Sequence, residues 1–249
     1  MIKICTVFFQ DDWSLYTPDY VSKLYRSLKR NTSLPFEFIC LSDTDVEADV
    51  VLPYNHHSNI KKHWHKLKFF SSQFANQKPG DDIIIMDIDQ VITGNIDDLI
   101  GHPVSDNELI TYGVWWPQKI KINGGFYKFK SGSFDHVWND FALNPDYWQT
   151  HYYENGDVHY KYYGEQNYVN WKMTEGKHKV TLTPKEWLCK YTDNSKEMVK
   201  LNILYAKAFN TEYMILDKPN DMIKVVHFTG PGKSIHKYSE KFIEDNWHG

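Results

Sequence analysis

The 249-residue chain is 41% hydrophobic and 24% charged, ordinary proportions for a globular protein with a substantial core. Lys and Arg number 28 against 32 Asp and Glu, a formal net charge of -4. That balance offers no basic surplus for a nucleic acid, and no block of like charge forms a tail.

The length suits one large α/β domain or two small ones. Aromatic residues reach 16%, with 17 Tyr and 9 Trp. They serve first to fill a core and second to stack on sugars or bases. Cys5 and Cys40 sit inside apolar runs, Cys189 stands apart, and no CxxC pair exists. Such cysteines act as small hydrophobes and predict a reducing compartment. The opening "MIKICTVFF" enters a strand directly, without a signal-peptide pattern, and no run approaches the roughly 18 apolar residues of a membrane span. The expectation is a soluble protein of the cytoplasm.

In chain order, Ile2 to Phe9 predicts a buried first strand, followed by a loop from Asp11 to Tyr16 with polar groups where a ligand could sit. "TPDYVSKLYRSLKRNT" predicts a helix: Thr17 suits the N-cap, Pro18 the first turn, and Tyr20, Val21, Leu24 and Leu28 form an apolar stripe. Strands follow at Phe36 to Asp43 and Asp49 to Tyr54. A helix is expected around His63 to Phe74, with Trp64, Leu67, Phe70 and Phe74 at helical spacing. "KPGDD" is a turn, and "IIIMDID" the central strand. Strands alternating with helices predict a parallel α/β sheet, whose ligands bind at the carboxyl ends of the strands.

The second half is less regular. Leu109 to Trp116 and Ile122 to Gly132 predict strands around a turn, Ser133 to Asn144 a helix, and Gly164 to Met173 the start of another. "NPDYWQTHYYENGDVHYKYYGEQ" suggests a strongly aromatic loop forming a partly exposed rim, with Asp157 as a spare carboxylate. "MIKVVHFTGPGKSIH" predicts a strand and then a glycine-containing loop. The expectation is a single domain, 1–249, α/β over its first half, 1–100, and mixed over its second, 101–249.

Two features carry chemistry. Asp87 and Asp89 end the central strand, and strand alternation would point both carboxylates one way. Such a pair suits a hard divalent cation, Mn²⁺ or Mg²⁺; the plain alternative is a solvated strand end. Far along the chain, His227 closes a strand and is followed by Gly230, Pro231, Gly232 and Lys233. An imidazole completes a metal site, and glycines with a lysine suit a phosphate; the alternative is a turn with an exposed lysine. The histidines at 56, 57, 63 and 65 read as a polar loop and helix start lining a cleft. Trp115 and Trp116 divide between packing and the cleft.

"IIIMDIDQVITGNIDDL" resembles the D-x-D run of nucleotide-sugar glycosyltransferases with the GT-A fold. "HFTGPGKSIH" resembles the closing motif of glycosyltransferase family eight and its bacterial and viral relatives. "INGGFYKF" is similar to the family's acceptor-side strand, and "GEQNYVN" to its Asp-Gln helix start. The motifs keep the family order from Lys66 to His236. The resemblance implies a Rossmann-like GT-A domain with a mixed central sheet. It implies Mn²⁺ or Mg²⁺ held by Asp87, Asp89 and His227, with Asp87 also near the donor. Gly230 and Lys233 would hold the diphosphate, and Lys66 would touch donor phosphate or sugar. Asn123 and Gly124 would contact the transferred sugar, while Glu165 and Gln166 flank its anomeric carbon. Thr6, Phe8 and Asp43 would bracket the nucleoside.

Three departures stand out. Glu165 replaces the family's Asp, Ser234-Ile235-His236 replaces Lys-Pro-Trp, and Asn123-Gly124-Gly125 replaces the usual Asn-Ser-Gly. The implied activity is metal-dependent transfer from a nucleoside-diphosphate sugar, UDP-sugar favoured, with retention of configuration. The acceptor stays open among glycan, lipid-linked sugar, protein and modified DNA base. An Asp87-dependent phosphotransferase or phosphatase and a non-catalytic nucleotide-sugar-binding module are the alternatives.

Overall fold

The computed structural model describes residues 1–10, 16–54, 59–114, 119–191, 200, 203–204, 207, 219–228, 235–238 and 240–248. The described strands, in chain order, are β1 (Ile2–Phe8), β2 (Phe36–Ser42), β3 (Val50–Pro53), β4 (Asp82–Met86), β5 (Gln90–Ile92), β6 (Glu108–Gly113), β7 (Ile122–Lys130), β8 (Lys179–Leu182), β9 (Leu188–Lys190) and β10 (Val225–His227). The chain divides into two compact units interleaved in sequence. One comprises Met1–Phe9, Pro35–Asp87 and Pro103–Leu182; the other comprises Gln10–Leu34, Ile88–His102 and Thr183–Gly249.

The first unit is built on a seven-stranded sheet in the order β3-β2-β1-β4-β7-β6-β8. β1 pairs in parallel with β2 and β4, β2 with β3, and β6 with β8. Only β7 is reversed, antiparallel to both β4 and β6, which makes the sheet mixed as expected. Parallel strands are buried on both faces and therefore read as unbroken apolar runs. Ile83 to Met86 follow that rule, each at 0% exposure.

The expected α-helix around His63 to Phe74 is instead a 3-10 helix, Lys62–Phe70. With three residues per turn, Trp64, Leu67 and Phe70 form a single ridge, and all three are fully buried. The same three-residue step puts His63 and Lys66 on one line. The aromatic segment expected to be a loop begins as a helix, Pro145–Glu154, because Asn144 caps it: its Oδ1 accepts from Tyr147 N at 3.3 Å. Two more helices, Asp135–Leu143 and Glu165–Glu175, complete the layer.

The second unit contains the helix Pro18–Asn31, the three-stranded sheet β5-β10-β9 and a last helix, Lys241–Asn246. Tyr20, Val21, Leu24 and Leu28 form the buried stripe that their spacing predicts. Thr17 occupies the N-cap position, but its side chain makes no capping bond; its carbonyl accepts from Tyr20 N at 3.0 Å. Cys5, Cys40 and Cys189 are buried and form no disulfide. Burial pushes the Cys40 thiol up to about 12, and the Cys5 thiol also rises, so both pack as hydrophobes. Among the described residues no helix is long and apolar enough to cross a membrane.

Candidate active site

β4 ends at Met86, one residue before the acidic pair. Asp87 N donates to Gly125 O at 3.1 Å, and the chain bends through Ile88 and Asp89. Strand alternation, the expected reason for aligned carboxylates, is thus not the operative one; the bend carries them. β5 starts immediately afterwards and pairs with β10, with Gln90 opposite His227. Phe228 N also donates to Asp89 O at 2.9 Å. This register brings together residues 138 positions apart: His227 Nε2 lies 3.2 Å from Asp89 Oδ1. Asp89 Oδ2 accepts from the Tyr16 hydroxyl at 3.0 Å.

Asp87, Asp89 and His227 each offer one ligand atom, and these atoms lie within 4.8 Å of one another. Two carboxylate oxygens and one imidazole nitrogen make a donor set that fits a divalent cation. Asp89 and His227 are buried, at 9% and 3% exposure, so the backbone around them restricts where the donors can go.

A second group gathers around Lys66, whose side chain is 5% exposed. Its Nζ donates to Asp87 Oδ1 at 2.9 Å and to Gly124 O at 2.8 Å, and lies 3.4 Å from Glu165 Oε2. Burial opposes the ammonium, but the two carboxylates outweigh it and hold Lys66 well above its ordinary value. Burial pushes the Glu165 carboxyl upward, and Lys66 opposes that shift. Glu165 Oε1 accepts no hydrogen bond of ordinary length among the described residues.

Gln166 Oε1 accepts from Gly124 N at 3.1 Å, and Asn123 Oδ1 from Gly125 N at 2.9 Å. A Cβ on Gly124 would sit 2.9 Å from Glu165 Oε2 and 3.2 Å from the Tyr127 hydroxyl, which explains the glycine. Gly164 turns the chain into the helix of Glu165 at φ 119, and a Cβ there would lie 2.9 Å from Tyr152 Cβ.

Other expected residues divide. The Thr6 hydroxyl donates to Met86 O at 2.8 Å, Phe8 is 1% exposed, and Asp43 is exposed just past β2. His63 is half-buried, while His65 is a core residue whose Nε2 sits 2.9 Å from Ile60 O and whose ring packs on Tyr54. Asp157 pairs with Lys119 at 2.7 Å. His56, His57, Trp115, Trp116, Gly230 and Lys233 lie outside the described residues, as does the side chain of His236. Tyr127 carries no signal in the sequence beyond its type, and Tyr16 only its place at the end of the polar loop expected after β1.

No family model matches the sequence, and no curated protein matches it significantly. Solved structures do. The glycosyltransferase GlyE of Streptococcus pneumoniae superposes with a TM-score of 0.56 at 13% identity, covering 93% of this chain and 55% of GlyE. The galactosyltransferase LgtC, solved with donor and acceptor sugar analogs, superposes with a TM-score of 0.59 at 13% identity, covering 93% of this chain and 88% of LgtC. The bifunctional glycosyltransferase WbbM gives a TM-score of 0.53 at 12% identity, covering 93% of this chain and 46% of WbbM. The chain thus spans about half the length of GlyE and WbbM. The GT-A fold implied by the resemblance is the fold observed.

Proposed function

We propose that the chain is a metal-dependent glycosyltransferase that moves a sugar from a nucleoside-diphosphate sugar, first of all a UDP-sugar, to an acceptor with retention of configuration. The observation that carries this reading is the Asp87, Asp89 and His227 group on a fold shared with sugar transferases. These three residues would hold Mn²⁺ or Mg²⁺. The cation would supply charge stabilisation for the departing nucleoside diphosphate.

The chain's own groups do the rest. Asp87, held by Lys66, faces the donor as well as the ion. Gly230 and Lys233 take the diphosphate, as the resemblance implies. Asp43 contacts the nucleoside, while Thr6 and Phe8 support that contact from inside, consistent with their burial. Asn123 and Gly124 meet the transferred sugar. Glu165 and Gln166 flank its anomeric carbon, where a carboxylate stabilises an oxocarbenium-like transition state. Among the described residues Glu165 Oε1 accepts no hydrogen bond of ordinary length, which is consistent with that role. Residues 1–100 then form the nucleotide half and 101–249 the acceptor half of a single cytoplasmic enzyme domain.

The test is a screen of nucleotide sugars with Mn²⁺, Mg²⁺ or EDTA, scoring sugar release. Release with a divalent ion and none in EDTA is the expected result. Nucleotide binding without release would leave a binding module, and an aspartyl-phosphate trapped on Asp87 would point to phosphoryl transfer.

A further inference from the structure

We infer that Tyr16 is a positioning residue for the metal ligand Asp89, an inference that rests on the cation reading above. The two oxygens of Asp89 have separate tasks. Oδ2 accepts from the Tyr16 hydroxyl at 3.0 Å, while Oδ1 lies on the His227 side, 3.2 Å from Nε2. An aspartate carboxylate rotates easily about its last torsion, so an unpinned Asp89 would present either oxygen over a wide range of angles. The hydroxyl removes that freedom and leaves Oδ1 as the oxygen offered beside the imidazole.

The hydroxyl is itself held in place. The Tyr16 ring meets the Tyr20 ring edge-on at 5.0 Å, and Tyr20 meets Trp247 edge-on at 4.8 Å. Tyr20 is 1% exposed and Trp247 7%, and Tyr16 is half-buried, so the stack leads from the core out to Asp89. Lys23 Nζ lies 3.9 Å from the Trp247 ring centroid. Three rings therefore run from Trp247, just past the last helix, through the helix Pro18–Asn31 to one carboxylate oxygen. Partners of this kind orient metal ligands, and their loss typically lowers metal affinity by about 10–100-fold.

The experiment titrates the full chain with Mn²⁺ alone, reading the free ion by its EPR signal, for the wild type and Tyr16→Phe. The variant keeps the ring stack and loses only the hydroxyl. Thermal unfolding of both proteins without metal is measured in parallel. The expected result is at least tenfold weaker Mn²⁺ binding by Tyr16→Phe with an unchanged metal-free midpoint. Equal affinities would overturn the role of Tyr16 while leaving the cation site standing. Weaker binding matched by a lowered metal-free midpoint would make Tyr16 merely structural. A wild type that does not bind Mn²⁺ would remove the cation reading and this inference together.

Discussion

The Lys66 group and the Asp89–His227 group differ in how their charge is settled. In the first, one buried ammonium sits against two carboxylates and a backbone carbonyl, all within 3.4 Å. In the second, Asp89 is bonded to a hydroxyl and lies beside an imidazole, neither of which is a permanent cation. Burying charge without a partner is costly. The first group therefore carries its own counter-charge and serves as a fixed frame. The second has donor atoms gathered in a way that suits an added ion.

The sharpest way to break this contrast is to remove one member of each. Asp89→Ala is expected to abolish metal-dependent donor turnover, a fall of at least ~10²–10³-fold, while the metal-free protein stays folded. Turnover kinetics and thermal unfolding check both halves. Lys66→Met should do the reverse first: it strands Asp87 and the buried Glu165, and a loss of about 3–5 kcal/mol in denaturant unfolding is expected. Adding Glu165→Gln should recover part of that stability. A Lys66→Met protein as stable as the wild type would contradict the fixed-frame account.

Gly164→Ala addresses the frame from its backbone. The position has φ 119 and no room beside Tyr152, so a loss of ~1–3 kcal/mol is expected, with weakened turnover because the helix of Glu165 starts there. The smallest effect is a control at Glu108. Burial opposes its charge, yet bonds from Lys179, Thr181 and Ser105 hold its carboxyl at about 2 rather than 4.5. Its folded value lies below its unfolded one, so its contribution is present above pH 4.5 and is lost as the pH falls toward 2. Glu108→Gln should flatten that acid limb of an unfolding-versus-pH curve and leave the Mn²⁺ response intact.

These residues were unequally visible in the sequence. Asp87 and Asp89 announce themselves because charge directly after Ile83 to Met86 is expensive unless used. The sheet was legible for the same reason: its apolar runs are those of strands buried on both faces. His227 was legible only through the family resemblance, since its meeting with Asp89 depends on the pairing of β5 with β10, and the three-residue β5 carries little periodicity. The 3-10 helix was hidden because Trp64, Leu67 and Phe70 satisfy the α-helical spacing equally well until Phe74 breaks away. Asn144-Pro145 was a readable helix start, masked by the aromatic richness that follows. Tyr16 was legible only as the end of a polar loop where a ligand could sit; its bond to Asp89 and its ring packing on Tyr20 and, through it, Trp247 join distant parts of the chain.

A cation shared by His227 and the two aspartates, as proposed, takes one imidazole nitrogen among its ligands. Pulsed EPR of the protein loaded with Mn²⁺ reports ligand nitrogen directly. Coupling to one imidazole nitrogen is expected in the wild type, and its disappearance in His227→Gln. A manganese signal without nitrogen coupling, or coupling that survives in His227→Gln, would contradict the shared cation.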